Sequence, residues 1–201
     1  MNMLDFAIKA TAEYIEHMPK NQKYGQFFTS KETAIFMVGL FKIPTESQKL
    51  SILDPGAGSG ILSIALLERL QAFSTIKEIR LVCYENDPNV VGLLRSNLEM
   101  ACSQSTKKTC KIVSDNYILS QEVDYNLRLK TNPEPDKYDL VIGNPPYMKI
   151  AKDAPEALAM PDVCYGSPNL YFLFASMSMF NLRDNGEMVY IIPRSWTSGA
   201  Y

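Results

Sequence analysis

Histidine is nearly absent from this chain, with one copy, and its four cysteines fall in no C-x-x-C spacing. Those two scarcities leave no material for a zinc site or a disulfide framework. Cys83, Cys102, Cys110 and Cys164 are therefore expected to be reduced thiols, with Cys83 in the core because it lies inside an apolar run. His17 falls near the end of a helical pattern, where an exposed or capping imidazole is the commoner role. Long apolar runs are missing too. No segment approaches the ~18–20 consecutive apolar residues of a membrane span, and Asp5, Lys9, Glu13 and Glu16 interrupt the N-terminus where a signal peptide would be apolar. The expected setting is the cytoplasm, with no membrane and no metal. Positive charge is the last shortage: 20 Lys and Arg stand against 22 Asp and Glu, a formal net charge of −2. Phosphate binding ordinarily demands clustered basic residues, so this chain alone is expected to hold nucleic acid poorly, and Lys107-Lys108 reads as a solvated surface.

What the chain does have is enough apolar sequence for one α/β domain: 46% of its 201 residues, beside 21% charged. The stretch Tyr138-Asp139-Leu140-Val141-Ile142-Gly143-Asn144-Pro145-Pro146-Tyr147 organises the rest. Its apolar middle reads as a central strand, and two prolines stop it, because each removes a backbone donor and fixes φ. The result is a stiff elbow bearing the Asn144 side-chain carbonyl, the Pro145 backbone carbonyl and the flat face of Tyr147. Two acceptors and a stacking face suit an exocyclic amino group on a planar ring. The tetrapeptide alone fits a strand-ending turn equally well.

Upstream, apolar positions at Leu4, Phe6, Ile8, Ala12 and Ile15 predict an amphipathic helix over 2–17. An aromatic loop, Lys23 to Ser30, leads to a second helix with Ser30 as its N-cap. Lys49 to Leu53 predicts a strand, followed by the glycine turn Asp54-Pro55-Gly56-Ala57-Gly58-Ser59-Gly60 and an apolar helix from Ile61 to about Leu70. Strand, glycine turn and helix form the first unit of a doubly wound sheet, and no lysine follows Gly60 to make a phosphate loop. A second strand, Ile79 to Tyr84, ends at Glu85, where one carboxylate could accept from both hydroxyls of a ribose. A third, Lys111 to Ser114, ends at Asp115-Asn116; residues 121–137, with Asn132-Pro133-Glu134-Pro135, read as loop or short irregular helix. After a loop to Ser167 comes an aromatic helix, Asn169 to Leu182, then a fifth strand from Glu187 to Pro193. Strand ends thus supply Asp54, Glu85, Asp115 and Asn144 to one edge, where open α/β sheets bind ligands.

In type and order these motifs resemble the S-adenosylmethionine-dependent amino-methyltransferases of restriction-modification systems, and more narrowly the N6-adenine DNA methyltransferases whose cofactor half precedes the catalytic half. The resemblance rests on Gly25-Gln26-Phe27-Phe28-Thr29, the glycine turn, Asn144-Pro145-Pro146-Tyr147 and Ile191-Ile192-Pro193-Arg194-Ser195-Trp196. It implies a Rossmann-like class I methyltransferase fold with a mostly parallel sheet, divided into N-terminal helices and a cofactor-covering loop (1–45) and a catalytic core (46–201). It further implies that Thr29 meets the methionine carboxylate, while Asp54, Pro55, Gly56, Ala57, Gly58 and Gly60 hold the methionine moiety. Glu85 would bind the ribose, Asp115 the cofactor's adenine amino group, and Phe174 would pack on that adenine. Asn144 and Pro145 would accept from the target amino group, Pro146 would shape the wall, and Tyr147 would stack on an adenine flipped out of double-stranded DNA.

A fold of this kind has seven strands, and five are counted here. The family's second stacking aromatic and its target-recognition domain are not found either. The resemblance therefore implies a piece truncated after the fifth strand, whose uncovered edge is expected either to lower stability or to associate. Similar elbows also serve methylation of a protein glutamine amide or a ribosomal RNA base. A non-catalytic cofactor-binding module is the alternative of another class.

Overall fold

The computed structural model describes residues 2–18, 28–44, 46–103, 108–127, 137–164 and 168–194. The segments Lys23 to Phe27, Asn132 to Pro135, Lys107, and Ser195 with Trp196, all read above, lie outside them. In chain order the elements are α1 (Met3–His17), α2 (Lys31–Gly39), β1 (Lys49–Asp54), α3 (Ile61–Leu70), β2 (Glu78–Tyr84), α4 (Pro88–Ser103) and β3 (Lys108–Val113). They continue as α5 (Tyr117–Ser120), α6 (Glu122–Leu127), β4 (Tyr138–Gly143), α7 (Pro155–Ala159), α8 (Leu170–Asn181) and β5 (Leu182–Tyr190).

The strands form one sheet in the order β3-β2-β1-β4-β5, and every neighbouring pair is parallel. β1, β2 and β4 are covered on both faces, which is why their sequences read as near-continuous apolar runs. Strand order reverses between β1 and β4. That reversal opens a crevice beyond their carboxyl ends, where the glycine turn and the elbow both emerge.

Helices α1 to α4 cover one face around Ile52, Ile64, Leu66 and Leu81, and α5 to α8 cover the other around Leu53, Tyr117, Tyr138 and Leu173. α3 is buried at eight of its ten positions, because it lies between the sheet and α1 and α2. Truncating one of its leucines to alanine would cost about 2–5 kcal/mol.

The first two helices join this same core through Met3, Leu4, Ala7, Ala34 and Met37. Polar links reinforce the packing: Leu4 N–H donates to Glu68 at 3.0 Å, and the Arg69 guanidinium donates to the carbonyls of Val38 and, at 2.9 Å, Phe41. Asn2 caps α1 through Asp5 N–H at 2.7 Å. Ser30 caps α2 as expected, accepting from Thr33 N–H at 3.2 Å.

Several expectations are corrected. β3 begins at Lys108, three residues before the sequence suggests, because an edge strand alternates between a covered and an open side and Lys108, Thr109 and Lys111 hide the pattern. Lys108 is accordingly no plain surface lysine: it is half-buried, its ammonium lies 3.3 Å from the Ala101 carbonyl, and burial pulls its pKa down. β5 begins at Leu182 rather than Glu187; its pairing with β4 jumps from Tyr138–Leu182 to Leu140–Glu187, and Asn185 inside the jump takes φ 63°. Tyr117–Ser120 forms α5, Glu122–Leu127 forms α6 as the short-helix alternative for the stretch from 121 allows, and the loop before Ser167 contains α7 and a short 3-10 turn at Pro161–Val163. Cys102 and Cys110 are joined as a disulfide rather than free, because they flank the connection from α4 to β3; Cys83 is a buried free thiol, as expected, and Cys164 is free. His17 is exposed at the helix end, its ring 2.7 Å from the Glu13 carbonyl. Among the described residues no helix is long and apolar enough to cross a membrane.

Candidate active site

A cleft of about 420 Å³ opens at the carboxyl ends of the strands, within the range of a small-molecule site. Its floor is the turn after β1, with Pro55, Gly56 and Gly58 on the wall. Gly58 and Gly60 take φ +55° and +85°, a left-handed conformation that glycine adopts without strain. Gly60 also packs so closely that a Cβ would fall 2.9 Å from Leu94, so it shapes the turn from behind. Bonds from Ala57 N–H to Tyr84 O at 2.9 Å and from Gly60 N–H to Ala57 O at 2.8 Å tie the turn to β2 and close it.

Asp54 is fully buried beneath this turn and is not among the cleft-lining residues. Its Oδ2 accepts from Ser63 Oγ at 2.7 Å, while Oδ1 has no hydrogen-bond partner of normal geometry among the described residues. Burial pushes its carboxyl up to about 7, against the lowering effect of the Ser63 hydroxyl and the Gly56 amide. Glu85 does reach the cleft. Gly58 N–H donates to its Oε2 at 2.9 Å and Asp87 N–H to its Oε1 at 2.8 Å, so both oxygens are fixed and each keeps a lone pair for a ligand. Burial raises the Glu85 pKa, and those amide bonds oppose the rise.

Asp115 is exposed on the opposite wall beside Asn116, and Phe174 of α8 faces the turn, 3.5 Å from where a Gly56 Cβ would stand. The elbow completes the cleft: Asn144 is half-buried, Pro145 buried, Pro146 and Tyr147 exposed. Thr29 lies in a smaller recess of about 30 Å³ with Gly56, Ala57, Gly58 and Asn144, and its hydroxyl is 3.4 Å from Asn144 Nδ2. Asn144 Oδ1 accepts from the Tyr147 hydroxyl at 2.5 Å, and that hydroxyl also lies 3.0 Å from the Ile191 carbonyl. The amide acceptor therefore already points where a donor can reach it.

Sequence reasoning missed several contributors. Asn97, fully buried on α4, donates to Ser59 O at 2.8 Å and holds the glycine turn from outside. Glu156 of α7 lines the cleft and accepts from Asn116 Nδ2 at 2.8 Å, fastening the segment after the elbow to the end of β3. Tyr84 and Tyr117 also line it. Asn97 left a readable signal, a polar residue within the apolar stripe Val90, Leu94, Leu98. Glu156 left none, because its partner is forty residues away in the chain.

Residues 68–201, which carry Glu85, Asp115, the elbow and Phe174, match the Eco57I restriction-modification methylase family. The chain belongs to that family. Type II methyltransferase M.PstI of Providencia stuartii is 30% identical over 205 residues, covering 100% of this chain and 39% of the relative. A release factor glutamine methyltransferase of Fusobacterium nucleatum is 30% identical over 146 residues, 73% of this chain and 34% of the relative. This Eco57I-family chain thus spans well under half the length of these curated relatives. In fold it is similar to a putative class I S-adenosylmethionine-dependent methyltransferase from Listeria monocytogenes, with TM-score 0.73 at 14% identity, over 100% of this chain and 57% of that one.

S-adenosylmethionine is the cofactor of this family and fold, and the cleft fits it. A glycine turn permits close approach, a carboxylate with free lone pairs suits a ribose, and Phe174 offers an apolar wall for a purine.

Proposed function

We propose that this chain is the cofactor-binding and catalytic portion of a restriction-modification DNA methyltransferase that methylates the N6 amino group of adenine. One observation carries the reading: Asn144, on a proline-stiffened strand end beside the cleft, presents a side-chain oxygen that already accepts a hydrogen bond. Bound cofactor supplies an electrophilic methyl group on a sulfonium. Asn144 Oδ1 and the Pro145 carbonyl accept the two N–H bonds of the target amine, which draws its lone pair out of the ring toward that methyl. Tyr147 stacks on the base once its hydroxyl gives up Asn144. As the nitrogen–carbon bond forms, the bond from that carbon to sulfur breaks, its electron pair leaves with a neutral thioether, and the nitrogen releases one proton to water. No titrating base is required, because fixed acceptors and positioning lower the barrier. Thr29 is assigned to the methionine carboxylate, Asp54 from beneath the turn with Pro55, Gly56, Ala57, Gly58 and Gly60 to holding the methionine moiety, Glu85 to the ribose, and Asp115 and Phe174 to the cofactor's adenine. The net charge of −2 fits a division of labour in which other parts of the protein grip the duplex. Association of the isolated chain through the open side of β5 belongs to the same reading.

The test is transfer from labelled S-adenosylmethionine to DNA, RNA and release-factor protein by the full-length gene product, with methylated nucleosides and residues identified by mass spectrometry. N6-methyladenine in DNA is expected. Asn144→Ala should lower transfer by at least about a hundred-fold while cofactor affinity stays within a few-fold. Label in a glutamine side chain would replace the DNA reading with the one that the Fusobacterium relative suggests. Cofactor binding without transfer to any of the three would point to a non-catalytic module.

A further inference from the structure

Below the cleft, six side chains form one continuous line of hydrogen bonds. Tyr117 donates to Asn181 Oδ1 at 3.1 Å, which commits its only proton. Ser178 Oγ, 3.3 Å from that phenol, is then placed to donate to it, and Tyr190, 2.6 Å from Ser178 Oγ against 3.5 Å from the Phe174 carbonyl, donates to Ser178 along the shorter contact. From Asn181 the line continues through Nδ2 to Gln121 Oε1 at 3.2 Å, and from Gln121 Nε2 to the Tyr84 hydroxyl at 2.9 Å. Each link has the same donor-to-acceptor sense, from the end of β5 to the end of β2, so each polarises the next.

The β5 end of this line touches the elbow. Tyr190 is the register partner of Gly143, the residue before Asn144, and its ring lies against it: a Cβ on Gly143 would sit 2.7 Å from Tyr190 Cε1. The next residue, Ile191, donates its N–H to the Gly143 carbonyl at 3.1 Å. A ring held at its hydroxyl by Ser178 cannot swing aside freely. Gly143 is not among the positive-φ glycines, so its lack of a Cβ answers to this ring and not to backbone conformation.

We propose that Tyr190 is a positioning residue for methyl transfer: anchored to α8 through Ser178, its ring sets the height of the strand end from which Asn144 projects. The proposal rests on the reading of Asn144 as the acceptor of the target amine. It assigns to Gly143 and Ser178 the role of keeping that ring in contact and in place.

The experiment uses the full-length gene product with saturating cofactor and DNA in single turnover, cofactor affinity measured by calorimetry, and crystal structures of the variants. Gly143→Ala should displace Asn144 and slow transfer by about a hundred-fold, the scale of an ångström-sized misplacement, with cofactor affinity within about three-fold. Adding Tyr190→Leu removes the obstructing ring, and Gly143→Ala/Tyr190→Leu should recover most of the lost rate. A Gly143→Ala protein that keeps the wild-type rate, or a double variant as slow as the single, overturns the proposal. Should Gly143→Ala fail to fold, Ser178→Ala adds no bulk and tests the anchor: a several-fold loss of rate at unchanged affinity is expected, and an unchanged rate overturns it. If the wild type transfers nothing to DNA, the functional reading fails on its own, and the crystal structures still decide whether Asn144 moves with Gly143→Ala and returns with the second change.

Discussion

One buried carboxyl group, Asp54, gives this fold a marked dependence on pH. Asp54 has its pKa raised from 3.8 to about 7, with burial as the largest cause. The folded protein therefore keeps a proton that the unfolded chain releases between those values. The stability from that proton is fully present below the unfolded pKa and is lost as pH rises through the folded one. Between about pH 5 and pH 8 the protein should lose roughly 2–3 kcal/mol of stability from this group, and Asp54→Asn, which keeps an acceptor for Ser63, should flatten that slope. Denaturant titrations of both proteins at several pH values measure it, and parallel slopes would refute the assignment. The sequence marks Asp54 as a strand-end acid, but nothing in it tells that Asp54 faces inward to Ser63 while Glu85 faces the cleft. That distinction depends on which side of the pleat the turn leaves, and only the packed sheet decides it.

Among elements, the glycine turn shows how local and distant forces divide. Its conformation is written in Gly58 and Gly60, and its position depends on α4 through Asn97. Asn97→Ala should cost about 1–3 kcal/mol, the price of a lost buried hydrogen bond, and weaken cofactor binding several-fold because the turn loosens. Chemical denaturation and calorimetry together check this; unchanged affinity would mean that the bonds to Tyr84 and within the turn suffice. Legibility follows the same division. β1, β2 and β4 are readable because two-sided burial writes an unbroken apolar run, whereas β3 alternates and β5 contains Asp184-Asn185-Gly186, which imitates the end of an element inside a paired strand. The elbow's prolines announce themselves, but the Glu156–Asn116 bond joins elements whose meeting no short window of sequence records.

For the molecule as a whole, α1 and α2 share the core of the sheet's first face. They should melt with it. Scanning calorimetry is expected to give one transition for the described core, and Arg69→Ala, which strips the Val38 and Phe41 carbonyls of a charged donor, should lower that same transition by about 2–3 kcal/mol. A separate early transition for the N-terminal helices would contradict a shared core. Parallel strands with intervening helices were foreseeable from the alternation of motifs, and so was the crevice at the strand ends. Which helices lie on which face was not, because an amphipathic stripe shows that a face is buried without saying which side of the sheet buries it.

The one-way hydrogen-bond line under the cleft also has a hereditary consequence. Its end at Tyr84 is replaceable as far as the line goes, since a phenylalanine there would remove only the link from Gln121, whereas a phenylalanine at Tyr190 would keep the other links but release the ring from Ser178. Its interior is not replaceable. A change at Ser178, Tyr117, Asn181 or Gln121 reverses or breaks the sense for its neighbours, so descendants of this gene should keep these four together or replace them together.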